Sequence, residues 1–175
     1  GNDLVCLNAE IYTVINNPDA TYNWTLSGGG TLISNGNTAT INWSTPGIYT
    51  ITVSPSSICG TGTSRTKTIT VGDLPSIPQL SVGDTAVCLG TQLYSVNPVS
   101  SVTNNWTLSG GGTLSTITNT SASINWTTAG NYMITISPSN YCGTGNSLII
   151  PVSAKTIPNQ ISTITGDASV CISNE

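Results

Sequence analysis

Short stretches along this chain alternate apolar and polar residues with a period of two. Within each stretch of the first half, the apolar residues share one face and the intervening Thr and Asn residues share the other. The apolar sets are Tyr12 and Val14; Tyr22, Trp24 and Leu26; Ala39, Ile41 and Trp43; and Tyr49, Ile51 and Val53. This alternation is typical of β-strands that bury one face and expose the other to water.

The second half of the chain repeats the pattern. Its apolar sets are Tyr94 and Val96; Trp106 and Leu108; Ala122, Ile124 and Trp126; and Tyr132, Ile134 and Ile136. Adding a first strand at Leu4–Cys6 and a last one near Thr66–Val71, we predict about seven strands per unit. β-Branched and aromatic residues are abundant, and Gly and Pro punctuate the chain. The sequence therefore predicts an all-β fold of tandem immunoglobulin-like sandwiches, with Tyr49 and Tyr132 as tyrosine corners.

Whole motifs recur as well as the pattern. The ten residues NWTLSGGGTL begin at Asn23 and again at Asn105, and CGTG begins at Cys59 and again at Cys142. Residues 167–171 (DASVC) echo residues 84–88 (DTAVC). We expect a first repeat at 1–73, a Pro-containing linker at 74–82, a second repeat at 83–155, a linker at 156–165, and the first strand of a third repeat at 166–175. Proline in both linkers favours a semi-rigid, elongated arrangement of the repeats.

One strand motif and its continuation resemble a known family. A Trp strand runs into a glycine turn, and Gly-x-Tyr-x-Ile-x-Val follows at residues 47–53, as in the polycystic-kidney-disease (PKD) type of immunoglobulin-like domain. The fuller pattern, VC, Y-x-V, NWTLSGGGTL, INW, G-x-Y and CGTG, is similar to PKD-like repeats of very large Bacteroidetes surface proteins. These include the adhesins of gliding flavobacteria. The acidic turn of ordinary PKD domains is replaced by Ser27–Gly30. The resemblance implies an extracellular, cell-surface protein of adhesion and gliding motility.

Five cysteines lie at positions 6, 59, 88, 142 and 171. Because the first pair and the second pair have nearly equal spacing, we predict disulfides Cys6–Cys59 and Cys88–Cys142, each tying a first strand to the loop after the sixth. The partner of Cys171 would then lie beyond Glu175. Disulfides indicate an oxidising, extracellular compartment. The alternative is buried free thiols in a cytosolic protein.

Composition argues against most reactive chemistry. The chain has no His, three Lys and Arg, and seven isolated Asp and Glu, so we predict no catalytic site, no cofactor, no metal site and no nucleic-acid partner. We also expect no membrane insertion. The triple glycines Gly28–Gly30 and Gly110–Gly112 lack the lysine and helix of a phosphate loop, and we expect them to form tight turns.

The four tryptophans allow two interpretations. Alternation with polar neighbours favours burial, and the alternative is an exposed platform for stacking sugars. If any is exposed, Trp43 and Trp126 are the better candidates for glycan contact, because each ends a strand.

We therefore expect a non-enzymatic structural or adhesive repeat from the elongated stalk of a large secreted bacterial adhesin. Its partners would be neighbouring repeats of the same chain and surface polysaccharides. One alternative is a carbohydrate-binding module array of a secreted polysaccharide-degrading enzyme. Another is a fibre subunit whose segment Ser162–Ile172 completes a neighbour, which requires an empty first-strand position.

Overall fold

The computed structural model describes residues 1–161, 163 and 166, and within them the secondary structure is strand without helix. The strands of the first half are β1 (Leu4–Cys6), β2 (Ala9–Thr13), β3 (Thr21–Leu26), β4 (Gly30–Asn35), β5 (Thr38–Trp43), β6 (Gly47–Ser57), β7 (Gly60–Thr61) and β8 (Arg65–Gly72). The described residues fold as two compact units, of which the first comprises residues 1–78, 98–105 and 136–148 and the second comprises the other described residues.

The strands of the second half follow the same order after one additional strand, β9 (Leu80–Val82). The others are β10 (Ala86–Cys88), β11 (Gly90–Val96), β12 (Thr103–Leu108), β13 (Gly112–Ser115), β14 (Ser121–Trp126), β15 (Gly130–Asn140), β16 (Gly143–Thr144) and β17 (Leu148–Lys155). Strand β9 lies inside the segment predicted as a linker. It pairs antiparallel with β11, with Leu80 beside Val96 and Val82 beside Ser95, so these residues extend a sheet.

In the first half, the strands form two sheets with orders β1-β8-β6-β3 and β2-β5-β4, and β7 pairs with the end of β6. Neighbouring strands are antiparallel except β1 and β8, which run parallel. In that pair Cys6 lies beside Gly72, the last residue of β8. The second half has the corresponding orders β10-β17-β15-β12 and β13-β14-β11-β9, and β10 is again parallel to β17. The all-β fold class is thus confirmed.

The period-two pattern correctly identifies the core of the first half. Its buried residues are Val5, Tyr12, Trp24, Ala39, Ile41, Trp43, Ile51, Val53, Ile69 and Val71. On β5, Ala39 and Ile41 are fully buried while Asn42 between Ile41 and Trp43 is exposed. The matching positions of the second half, among them Tyr94, Ile124 and Ile134, are buried to the same degree. Removal of these apolar faces from water supplies the main driving force for folding in both halves of the chain.

The corner between β5 and β6 contains the predicted tyrosine corner. The Tyr49 hydroxyl donates a hydrogen bond of 3.2 Å to the carbonyl oxygen of Pro46, three residues upstream. Its ring stacks on Trp43, with centroids 5.7 Å apart. Tyr132 repeats the arrangement with a 3.4 Å bond to the carbonyl of Ala129 and a stacked Trp126. The prediction of both corners is therefore confirmed.

A second pair of tyrosines secures the segment that precedes each first strand. The Tyr12 hydroxyl donates to the carbonyl of Asn2 (3.4 Å), and the Tyr94 hydroxyl donates to that of Asp84 (2.9 Å). Burial raises the pKa of both phenols above 10.0, so each hydroxyl keeps its proton and remains a donor at physiological pH.

The triple glycines form the tight turns that the sequence predicts. Gly29 lies between β3 and β4 with φ +78°, a left-handed conformation that other residues adopt at a cost. A side chain there would also overlap the ring of Tyr49, and Gly111 stands in the same relation to Tyr132. The glycines are thus needed both for the turn and for the close approach of the corner tyrosine.

Gly29→Ala should therefore lower the free energy of unfolding more than Gly36→Ala does. Gly36 is also left-handed, at φ +56°, but a side chain there meets nothing within 4 Å. We expect about 1–2 kcal/mol for the left-handed conformation alone, and about 1–3 kcal/mol more at Gly29 from the collision. Urea unfolding followed by tryptophan fluorescence measures the difference, and equal losses would contradict the collision with Tyr49.

Candidate functional site: a disulfide joint

The structure buries the two tryptophans that the sequence offered as glycan contacts. Trp43 is 2% exposed and Trp126 is 1% exposed, each beneath its corner tyrosine. A sugar ring cannot stack on an indole face that is already covered by protein. The candidate glycan contacts at Trp43 and Trp126 are therefore wrong, and both residues belong to the core.

The described part of the chain holds no group of three or more His, Cys, Asp or Glu side chains arranged to bind a metal ion. In the same residues, no helix is long and apolar enough to cross a bilayer.

The structure contains a disulfide between Cys6 and Cys142, whose Cα atoms are 5.6 Å apart. Cys59 and Cys88 are exposed free thiols. The predicted pairs Cys6–Cys59 and Cys88–Cys142 are therefore wrong, although the prediction of disulfide chemistry is confirmed. Cys171 and the predicted first strand of a third repeat lie largely outside the described residues.

Strand pairing explains why Cys6 does not bond to Cys59. Cys6 lies beside Gly72, at the end of β8, whereas Cys59 lies in the hairpin before Arg65, at the start of β8. Eight residues of extended chain span roughly 25 Å, and a disulfide requires Cα atoms within about 7 Å. The same holds for Cys88, which pairs with Lys155 at the end of β17, while Cys142 precedes the start of that strand.

We call the disulfide and the backbone that packs around it the disulfide joint, comprising Cys6, Gly72–Pro75 and the hairpin Asn140–Gly145. All of these residues belong to the first compact unit. Asn140 organises the joint through both atoms of its amide. Its Nδ2 donates to the carbonyl oxygen of Asp73 (2.7 Å), and its Oδ1 accepts from the backbone N–H of Cys142 (2.8 Å). One side chain thus fixes the hairpin to the segment after β8 and orients the cysteine.

Close backbone approach is the second feature of the joint. A side chain at Gly72 would overlap the hydroxyl of Tyr141 and come within 3.1 Å of Cys142 Sγ. One at Gly145 would overlap the carbonyl oxygen of Pro75. Pro75 and Pro138 are buried there. The glycines at positions 72 and 145 let the two chain segments pack in direct contact.

The bond closes a long loop. It joins residues 136 apart in sequence, so in the loop-entropy model it stabilises the folded chain by about 5 kcal/mol, an upper figure for one disulfide. Disulfides form and persist in oxidising compartments. The joint is therefore consistent with a protein that acts outside the cytosol.

Sequence reasoning identified the four cysteines but paired them by spacing. The signal that this pairing overlooked is a set of sequence differences between the two halves, next to the cysteines. CGTG follows Ser-Ile in the first half and Asn-Tyr in the second, and Gly72 in the first half corresponds to Lys155 in the second. These differences mark the two surfaces that meet in the joint.

Comparison with known proteins identifies the family to which the chain belongs. The sequence matches the PKD-like domain over residues 1–71 and again over 74–152. The chain therefore belongs to the PKD-like domain family. Domains of this kind are typically extracellular and non-catalytic, and they suggest a structural or adhesive repeat. No curated protein matches the chain by sequence.

Solved structures share the fold at low identity. Immunoglobulin domains 1–4 of Sidekick-1 match with a TM-score of 0.51 and 13% identity, over 89% of this chain and 47% of that one. Murine CEACAM1b matches with a TM-score of 0.44 and 21% identity, over 89% and 96%. Titin domains A168–A170 match with a TM-score of 0.48 and 14% identity, over 86% and 61%. At such identities the Sidekick-1 match supports the immunoglobulin-like fold and nothing about function.

Cys6→Ser should destabilise the chain far more than Cys59→Ser. Loss of the bond removes the loop constraint, and we expect a decrease of about 2–5 kcal/mol in the free energy of unfolding. Cys59 is an exposed thiol, and its replacement should change stability by less than about 0.5 kcal/mol. Urea unfolding gives both values, and peptide mapping without reductant should recover Cys6 linked to Cys142. Recovery of a Cys6–Cys59 peptide would contradict the joint.

Proposed function

We propose that this chain is a force-transmitting structural repeat in the stalk of a large secreted bacterial surface adhesin. The observation that carries the proposal is the disulfide between Cys6 and Cys142. Because the bond joins residues 136 apart in sequence, tension applied to the chain on either side of this span passes across one covalent bond. The residues between the two cysteines are relieved of that tension.

The chain surface supports the same role. Thr, Ser and Asn dominate the outward positions of the strands, and only ten residues of the chain are charged. A polar surface with so few charged side chains attracts other molecules only weakly by electrostatic interactions, which limits nonspecific association. Family membership and the disulfide support an extracellular site of action. The assignment to Bacteroidetes, to gliding motility and to the cell surface extends the resemblance noted in the sequence.

The two alternatives receive less support. All four tryptophans are at most 8% exposed, so the chain lacks the exposed indole platform on which a carbohydrate-binding array would depend. A strand-donating fibre subunit requires an empty first-strand position. Strands β1 and β10 fill those positions, each pairing with the last strand of its own half.

Single-molecule pulling from the two chain ends tests the force path. In the oxidised chain, the 136-residue span between Cys6 and Cys142 should not extend. Cys6→Ser, or reduction, should release roughly 450–490 Å of additional contour length at 3.3–3.6 Å per residue. Cys59→Ser is the matched control and should leave the oxidised contour length unchanged. An oxidised chain that extends as far as Cys6→Ser would refute force transmission through the joint.

Location is tested separately. Antibodies raised against the folded chain should label intact cells of the source organism as strongly as permeabilised cells. Labelling that requires permeabilisation would overturn the adhesin assignment while leaving the disulfide joint intact. A glycan array probed with the chain should give no tryptophan-dependent binding.

A further inference from the structure

Two free cysteines occupy positions whose repeat equivalents are bonded. Cys59 corresponds to Cys142, since both open the motif CGTG, and Cys88 corresponds to Cys6, since both end a first strand. Cys6 and Cys142 are joined, whereas Cys59 and Cys88 are exposed thiols. The described residues thus include one complete disulfide joint and both halves of another.

The hairpin around Cys59 corresponds to the Cys142 hairpin of the disulfide joint, but no segment of the described residues covers it. Ile58 is fully exposed, whereas its equivalent Tyr141 is half covered. A side chain at Gly60 would meet nothing within 4 Å, but one at its equivalent Gly143 would contact the Leu74 side chain at 3.2 Å. An open groove borders Cys59, lined in part by Pro55, Ser57 and Gly62. The corresponding surface of the other hairpin is covered by Leu74 and Pro75.

The segment around Cys88 corresponds to the Cys6 side of the disulfide joint. Cys88 lies beside Lys155, as Cys6 lies beside Gly72. Thr156-Ile157-Pro158 then follows at the positions of Asp73-Leu74-Pro75. Ile157 is 77% exposed, compared with 51% for Leu74 inside the joint. An apolar residue and a proline are therefore available to cover a hairpin groove.

The two free halves also match in size. In the existing joint, Gly72 leaves room for the hydroxyl of Tyr141. The free half has Lys155 at that position, where a tyrosine would be obstructed by the added side chain. The free hairpin has Ile58 in place of the tyrosine. Isoleucine has no ring or hydroxyl that would collide with the Lys155 side chain.

We propose that Cys88 forms a disulfide with Cys59 of a second copy of this chain placed end to end. The contact is heterologous, because different surfaces of the two copies meet, and it leaves a free half at each outer end. Repetition of the contact gives a ring or an open array, according to the rotation between copies, and every junction in it carries a disulfide joint. The inference deepens the proposed structural role, but its test requires no adhesive activity.

The bond forms by thiol–disulfide exchange with a small-molecule or protein disulfide as oxidant. The Cys88 thiolate attacks one sulfur of oxidised glutathione, forms a mixed disulfide and releases one glutathione thiolate. The Cys59 thiolate then attacks Cys88 Sγ and releases the second. Two cysteine thiols are oxidised, one oxidised glutathione becomes two glutathione molecules, and these take up the two protons.

A tandem chain with residues 1–165 written twice tests the proposal. Gly1 of the second copy then follows residue 165 in the place of Gly166, which has the same repeat position. Cys59→Ser in the first copy and Cys88→Ser in the second leave only the junction pair besides the two existing disulfides. After refolding in a glutathione redox buffer, peptide mapping should recover Cys88 linked to Cys59 of the following copy, with no free thiol. Two free thiols, glutathione adducts or a different pairing would overturn the proposal.

A matched control distinguishes a built joint from mere proximity along the chain. In the second copy, Cys59→Ser with Thr61→Cys moves the thiol two residues along the same exposed hairpin. A specific joint should form at least about tenfold more disulfide with Cys59 than with the displaced thiol, at equal glutathione ratios. Equal linkage would show that the tether alone drives the reaction, and the specific joint would be refuted. Pulling experiments on the single chain would be unaffected by either result.

Discussion

Parallel pairing of the first and last strands fixes where each cysteine lies. Strand β1 runs parallel to β8, and β10 runs parallel to β17. In each pair the cysteine that ends the shorter strand lies beside the final residue of the longer one. The other cysteine lies in the hairpin that precedes that strand. Two cysteines of one half are thus separated by the length of a strand. A cysteine at one end of a sandwich can bond only to something that packs against that end.

Local features of the fold followed from the sequence because each depends on nearby residues. Alternation on β5 predicted that Ile41 is buried and Asn42 is exposed, since side chains of a strand alternate between faces. The tyrosine corner at Tyr49 needs only a hydroxyl three residues from a carbonyl. The triple-glycine turn needs only φ values that glycine adopts freely.

The disulfide could not be predicted in the same way, because spacing along the chain carries no information about which ends meet. Cysteines recurring in register fit several pairings equally well, and only strand order excludes those within one half. Burial of Trp43 and Trp126 was hard to predict for a different reason. Each indole ends its strand, where alternation alone does not say whether another side chain covers it. The corner tyrosines Tyr49 and Tyr132 provide that cover.

The disulfide also closes the chain between Cys6 and Cys142 into a covalent ring. A protease that cuts one peptide bond within the ring opens it but releases no fragment, because the sulfur bridge still holds both pieces. Exposed loops such as the one around Ile15, which is 96% exposed, can therefore be nicked without loss of the polypeptide's continuity. Severing the molecule within this region takes two cuts, or one cut together with a reductant.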